Sequence, residues 1–244
     1  MPQITGTINA EGQLILSAVG AKFALIPTVE PPPVDPPPVD PPPVDPPAVG
    51  TGYIWVDVAA LRKKTQSGAA WEAMLKAAKA DPGTPSVENQ DSKFNTNLQA
   101  AAYVYACTGD TTFLNKVLGG LRSIVSPSLK IGRALALARE VPGLIAAAEG
   151  IELSQVDPDL HELFKTKLRY FLTCPTSGGG PATLVKSQEQ RPNNWGTHAS
   201  CARVMIARYI GDAAELERAV QVFKGFLGDR ASYAGFEYGE LDWQ

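Results

Sequence analysis

The sequence predicts a mainly α-helical protein built from stacked helical hairpins, preceded by a short β segment and a proline-rich spacer. Three observations predict it. From about residue 51 onward apolar residues recur at helical spacing, with no strand–helix–strand alternation and no glycine-rich phosphate loop. Two stretches, AYVYACTGDTTFLNKVLGGL and MIARYIGDAAELERAVQVF, share one layout: an apolar helix, Gly-Asp, then a second helix with Leu four residues after the Asp. Glycine permits a left-handed helix end and aspartate can start the next helix, so this echo reads as a repeated hairpin. Finally, a five-residue PPPVD repeat separates the helical part from what precedes it.

Residues 1–28 contain ITGTINAEGQLILSAVGAKFALIP, which reads as short strands around a turn at Glu11-Gly12. Ile4, Thr5, Thr7 and Ile8 form one arm, and Leu14, Ile15 and Leu16 the other. So small a unit buries little surface, so it is expected to dock on its own copies, another protein or the next domain. Residues 29–50 hold eleven of the 21 prolines, which removes backbone donors and favours polyproline II. As a semi-rigid strut, Pro31 to Pro47 spans roughly 50 Å at about 3.1 Å per residue.

Residues 51–244 form the helical zone. A helix over Ala69–Ala80 carries Trp71, Met74, Leu75 and Ala78 at helical spacing, and ADPGTPSVENQ stops it. Further helices are expected over 95–107 and from Thr111, as N-cap, to Ser123. GRALALAREVPGLIAAAEG reads as an Ala-rich pair broken near Pro142. A helix over Asp159–Thr173, a long excursion through TSGGGPATLVKSQEQRPN, and helices over Asn194–Tyr209 and Ala213–Leu227 follow.

Composition narrows the function classes. A net charge of −3 over 244 residues gives no reason to expect a nucleic-acid or lipid partner. No run of 18 apolar residues is present, so membrane insertion is not expected. MPQITGTINAEGQ lacks the basic start and apolar core of a signal peptide. Three cysteines, an odd number without zinc-knuckle spacing, argue against a disulfide framework or a zinc site. Cys107 and Cys201 lie in apolar helices and are expected to be buried thiols, while Cys174 falls in a loop. With only His161 and His198, a histidine metal centre is not expected, and no cofactor is.

The stretch RPNNWGTHASCARVMIARY, Arg191–Tyr209, carries the chemistry. Asn193 or Asn194 can cap its helix, and Asn194 and His198, four apart, share one face. A helix N-terminus favours anions, and Arg191 stands just before it. An amide, an imidazole and a guanidinium around one space suit a carboxylate held next to a base.

GYIWVDVAAL, SGAAWEAMLKAA, the GR of IGRALALARE, SQEQRPNNWGTHA and DRASYAGFEYGELDWQ carry a resemblance. From about Tyr53 to Gln244 the chain resembles the alginate-lyase-like family of α/α toroid polysaccharide lyases, bacterial or phage-associated. The matched part corresponds to the N-terminal portion of that family's catalytic domain, so a truncated toroid is expected. The resemblance implies β-elimination on a uronate-containing acidic polysaccharide, outside the cell or on a virion. Asn and Arg or His neutralise the uronate carboxylate, a His or Tyr takes the C5 proton, and a Tyr protonates O4, without metal. The family's Asn-Asn-His motif falls on Asn193, Asn194 and Trp195, a tryptophan where that histidine stands. Asn194 is then the carboxylate neutraliser, His198 three residues on can take the histidine's part, and Trp195 offers a stacking face. Tyr238 is the first choice as acid/base residue and Tyr233 the second, with Arg230 as a charge partner. Gln90, Asp91, Asn95 and Asn97 resemble the family's cleft-lining loop, and Arg133 is expected to bind a sugar acid. Arg139 falls elsewhere on that helix's circumference. ITGTINAEGQ resembles short β-modules at the start of phage tail proteins, so the alternative is a glycan-binding or structural virion protein.

Overall fold

The computed structural model describes residues 4–8, 14–18, 52–178 and 183–237. The chain divides into two compact units, Met1–Asp45 and Pro46–Gln244. In the first, β1 (Ile4–Ile8) pairs antiparallel with β2 (Leu14–Ala18), in a register running from Ile4 opposite Ala18 to Ile8 opposite Leu14. The PPPVD strut lies outside the described residues.

The second unit is helical: α1 (Val58–Arg62), α2 (Ala69–Lys79), α3 (Phe94–Thr108), α4 (Thr111–Val125), α5 (Ala134–Gly150), α6 (Leu153–Val156), α7 (Pro158–Thr173), α8 (Leu184–Gln190), α9 (Asn194–Ile210) and α10 (Ala213–Phe226). The two Gly-Asp echoes are the tips of two antiparallel hairpins, α3–α4 and α9–α10. Gly109 and Gly211 close α3 and α9 at φ 72° and 76°, a left-handed conformation that glycine adopts without a Cβ penalty. The aspartates cap the helices that follow: Asp110 accepts from the Thr112 N–H at 2.9 Å, and Asp212 from that of Glu215 at 3.0 Å. Asp110 thus takes the capping role expected of Thr111, which is the first helical residue.

α5 is the central helix, with all but three of its 17 residues buried. It runs unbroken through Pro142, where the sequence suggested a break. Proline interrupts a helix by deleting one N–H and crowding the preceding turn, and here packing on α3 and α9 overrides that local penalty. α3 and α5 point the same way, because Asn95 meets Gly143 and Ala102 meets Gly150. α9 lies beside α5 in the same sense, with His198 level with Arg139 and Tyr209 level with Glu149. The amino ends of α3, α5 and α9 therefore gather at one end of the helical unit. α2, α4 and α7 complete the main core around Leu98, Leu121, Leu144, Phe164, Phe171 and Ile206.

The stretch expected as a long excursion contains α8, capped by Thr183, which accepts from the Lys186 N–H at 3.1 Å. Seven residues are too few to show periodicity, and burial of Leu184, Ser187 and Gln188 decides the helix. Arg203, fully buried in α9, binds this region together. It donates to Gln188 at 3.0 Å and Glu189 at 3.2 Å of α8, and to Glu215 of α10 at 2.5 Å. The three cysteines are free, and burial orders them against expectation: Cys174, at the end of α7, is 2% exposed, whereas Cys107 and Cys201 are half-buried.

Candidate functional site

The loop ahead of α3 is pinned before it reaches the site. Val87 bridges Ile131 in parallel and accepts the Gly132 N–H at 3.3 Å, which ties residues 84–92 to the entry of α5. Gln90 and Asp91 leave this anchor beside Asn95 and meet Arg139 and Glu140 of α5. Together with Ser92, Lys93 and Thr96 they line a cleft of about 240 Å³.

Its two floor groups come from α5. Arg139 holds Asp91 across 3.7 Å, a loose ion pair between side chains 40% and 75% exposed. Such pairs add little stability. Glu140 is 2% exposed, and its Oε2 has no hydrogen-bond partner among the described residues. Burial drives its pKa up to about 8, against the pull of Arg139 and the Asn95 N–H toward the ionised form, with Asp91 adding to the rise. At neutral pH it is therefore mostly a protonated carboxyl, which can donate. Asn95, also buried, donates to the backbone carbonyls of Arg139 at 3.1 Å and Glu140 at 3.4 Å, which locks α3 to α5.

α9 brings the Arg191–His198 stretch to the same end. Asn193 is the cap: its Oδ1 accepts from the Trp195 N–H at 3.0 Å. Asn194 begins the helix, and Asn194 and His198 are both exposed, one turn apart. Burial first, then the like charge of Arg139, holds the His198 pKa below its ordinary value. His198 is thus neutral at pH 7, with a ring nitrogen able to accept a proton. Arg191 lies over the Trp195 ring at 4.8 Å, so these two side chains brace one another. Gly196 allows the turn to sit this close: a Cβ there would fall 1.8 Å from the Arg191 carbonyl oxygen.

The remaining expected residues spread out. Arg133 precedes the first residue of α5 as its N-cap, exposed beside Gly178. Asn97 donates to the Asp81 carbonyl at 3.3 Å and closes the α2–α3 connection rather than lining the cleft. Tyr233 donates to the Glu189 carbonyl at 2.6 Å and packs edge-on against Phe236, whose ring Arg230 covers at 5.1 Å. These two hold the 229–237 loop onto α8 and α10, with Glu237 bonded to Gln190 just ahead of Arg191. Tyr238 lies outside the described residues.

Arg139 and Glu140 are the participants sequence reasoning missed. One signal was available: Glu140 interrupts an apolar face formed by Ala136, Leu137, Val141 and Leu144. A carboxylate there must either find a cation or keep its proton.

Fold and site together define a helical-hairpin domain with a polar cleft between the amino end of α3 and α5, and the start of α9 lies at the same end of the helical unit. No family model matches the chain, and neither the curated proteins nor the solved structures searched contain a match.

Proposed function

We propose that the helical unit belongs to an α/α toroid polysaccharide lyase that cleaves a uronate-containing acidic glycan by β-elimination, as an extracellular or virion-associated protein. One observation carries the reading: a neutral histidine of α9 faces Arg139 of α5, and that arginine and the neighbouring protonated carboxyl of Glu140 line a cleft with the amides of Gln90 and Asn95. Elimination needs this combination. The C5 proton becomes acidic only when the uronate carboxylate is neutralised, and fixed donors must meet the enolate-like charge as it develops. Asn194 supplies an amide donor and Arg139 the positive charge. His198 is the base, suited by its lowered pKa to accept a proton near neutrality. Tyr238 is the proposed donor to the departing O4.

The test is the appearance of ultraviolet-absorbing C4–C5 double bonds in alginate, polygalacturonate, hyaluronan, heparin-like and capsular polysaccharides. Asn194→Ala and His198→Ala are each expected to lower the rate by about a hundredfold or more. Absorbance that persists unchanged in both variants would remove this site from the reaction.

A second reading, a glycan-binding or structural virion protein, has its own observation. Asn193 is engaged as a helix cap and Trp195 is braced by Arg191, so two motif side chains do structural work. It predicts binding to one of these glycans with no ultraviolet product.

A further inference from the structure

We propose that the Arg139–Glu140 cleft is the carboxylate-receiving subsite for the acidic sugar, in which the incoming carboxylate displaces Asp91 from Arg139 and accepts a hydrogen bond from the protonated carboxyl of Glu140. This rests on the acidic-glycan reading and adds to it a site, its donor and a competitor within the chain.

Three independent features converge there. The cleft, about 240 Å³, has room for one sugar-acid group rather than a whole chain. Arg139 holds Asp91 loosely at 3.7 Å, and the Asp91 side chain, 75% exposed, can leave without opening the core. Asp91 occupies the place a ligand carboxylate would take and presents the same two oxygens. Finally, Glu140 is one of the residues around the cleft, and its Oε2, buried beneath the surface, has no hydrogen-bond partner among the described residues. A buried polar atom left without a partner is costly, and a ligand oxygen would satisfy it.

The charged groups facing Glu140 fix the pH behaviour. Arg139 on its own helix and the Asn95 N–H from α3 favour its ionised form, while Asp91 and burial oppose it. His198 from α9 faces Arg139 and is neutral, so it adds no compensating charge at pH 7. Two carboxylates cannot share the cleft unless one carries a proton. Binding therefore follows the protonated fraction of Glu140 and, above its titration, takes up one proton.

The experiment uses the full chain, labelled with ¹⁵N, and sodium D-glucuronate as the probe, read through the backbone amides of Asn95 and Thr96. Between about pH 6 and about pH 9.5 the apparent affinity is expected to weaken about thirtyfold, as the binding-competent fraction falls. Glu140→Gln, which keeps a donor of the same shape, is expected to bind independently of pH. Arg139→Gln loses binding, and Asp91→Asn binds more tightly because the competing carboxylate is gone. Affinity unchanged across this range, shifts that avoid Asn95 and Thr96, or no shift at tens of millimolar glucuronate would each overturn the proposal. If Glu140→Gln does not fold, the Asp91→Asn and Arg139→Gln pair decides alone, since both changes are at exposed side chains. The ultraviolet assay separates the two claims. Elimination without proton-linked binding keeps the lyase reading and removes this subsite, whereas glucuronate binding here without product keeps the subsite and removes the lyase.

Discussion

Glu140 keeps its proton because burial excludes the water that would stabilise its charge, and stability depends on pH as a result. The unfolded chain releases this proton at the ordinary carboxylate value of 4.5, whereas the fold retains it to about 8. Between those values the folded state binds more protons, so this contribution is fully present below the lower value and is lost as pH rises through the upper one. In urea unfolding across this range, Glu140→Gln should abolish the decline and be the more stable protein at alkaline pH, by on the order of a few kcal/mol. A wild-type curve that stays flat from pH 5 to pH 9 would show that Glu140 is ionised within the fold. Gly196 makes a second residue-scale demand. Its clash partner is a backbone oxygen, which cannot swing aside as a side chain can. Gly196→Ala should therefore cost about 1–3 kcal/mol in thermal unfolding and shift the His198 ring-proton signals in a proton NMR spectrum.

At the scale of elements, the two Gly-Asp hairpins repeat one physical solution. A left-handed glycine ends one helix and an aspartate satisfies the free N–H groups of the next. Asp110→Ala and Asp212→Ala should each lower stability by about 1 kcal/mol, and the double variant by their sum, because the tips belong to separate hairpins. A double variant far from additive in denaturant melts would mean that the two tips are coupled. α5 shows the limit of local rules. Pro142 is a helix breaker in isolation, yet the helix continues because both of its flanks are covered.

For the whole helical unit, the buried Arg203 network holds the region that carries the site. One guanidinium serves Gln188, Glu189 and Glu215, Arg218 reaches Glu189 from solvent at 2.9 Å, and the site begins directly after α8. Removing the cation leaves two carboxylates without it. Arg203→Ala should cost about 3–5 kcal/mol, whereas Arg203→Met in a chain also carrying Glu189→Gln and Glu215→Gln should recover most of that. Thermal unfolding of the two proteins decides the point: equal losses would mean that packing volume, not charge, is what Arg203 supplies.

Helix spacing, hairpin tips and the α9 cap were legible in the sequence because each depends on residues within one or two turns of each other. The α3, α4, α7 and α10 helices show apolar faces at helical period, and Gly109, Asp110, Gly211 and Asp212 act through local backbone geometry alone. The polar character of Gln90, Asp91, Asn95, Asn194 and His198 was equally plain, since charge and hydrogen-bonding capacity belong to the residue itself. Their assembly was not. Arg139 and Glu140 lie some fifty residues from either partner segment, and only parallel packing of α3, α5 and α9 brings them to Asp91 and His198. Tertiary structure alone decided that Asn97 and Tyr233 serve connections between elements, that α8 exists, and that Glu140 keeps its proton. The physical reason is common to all of these. Local conformation follows short-range sterics and hydrogen bonds, which nearby residues encode, whereas burial, desolvation and the meeting of distant side chains exist only once the chain has packed.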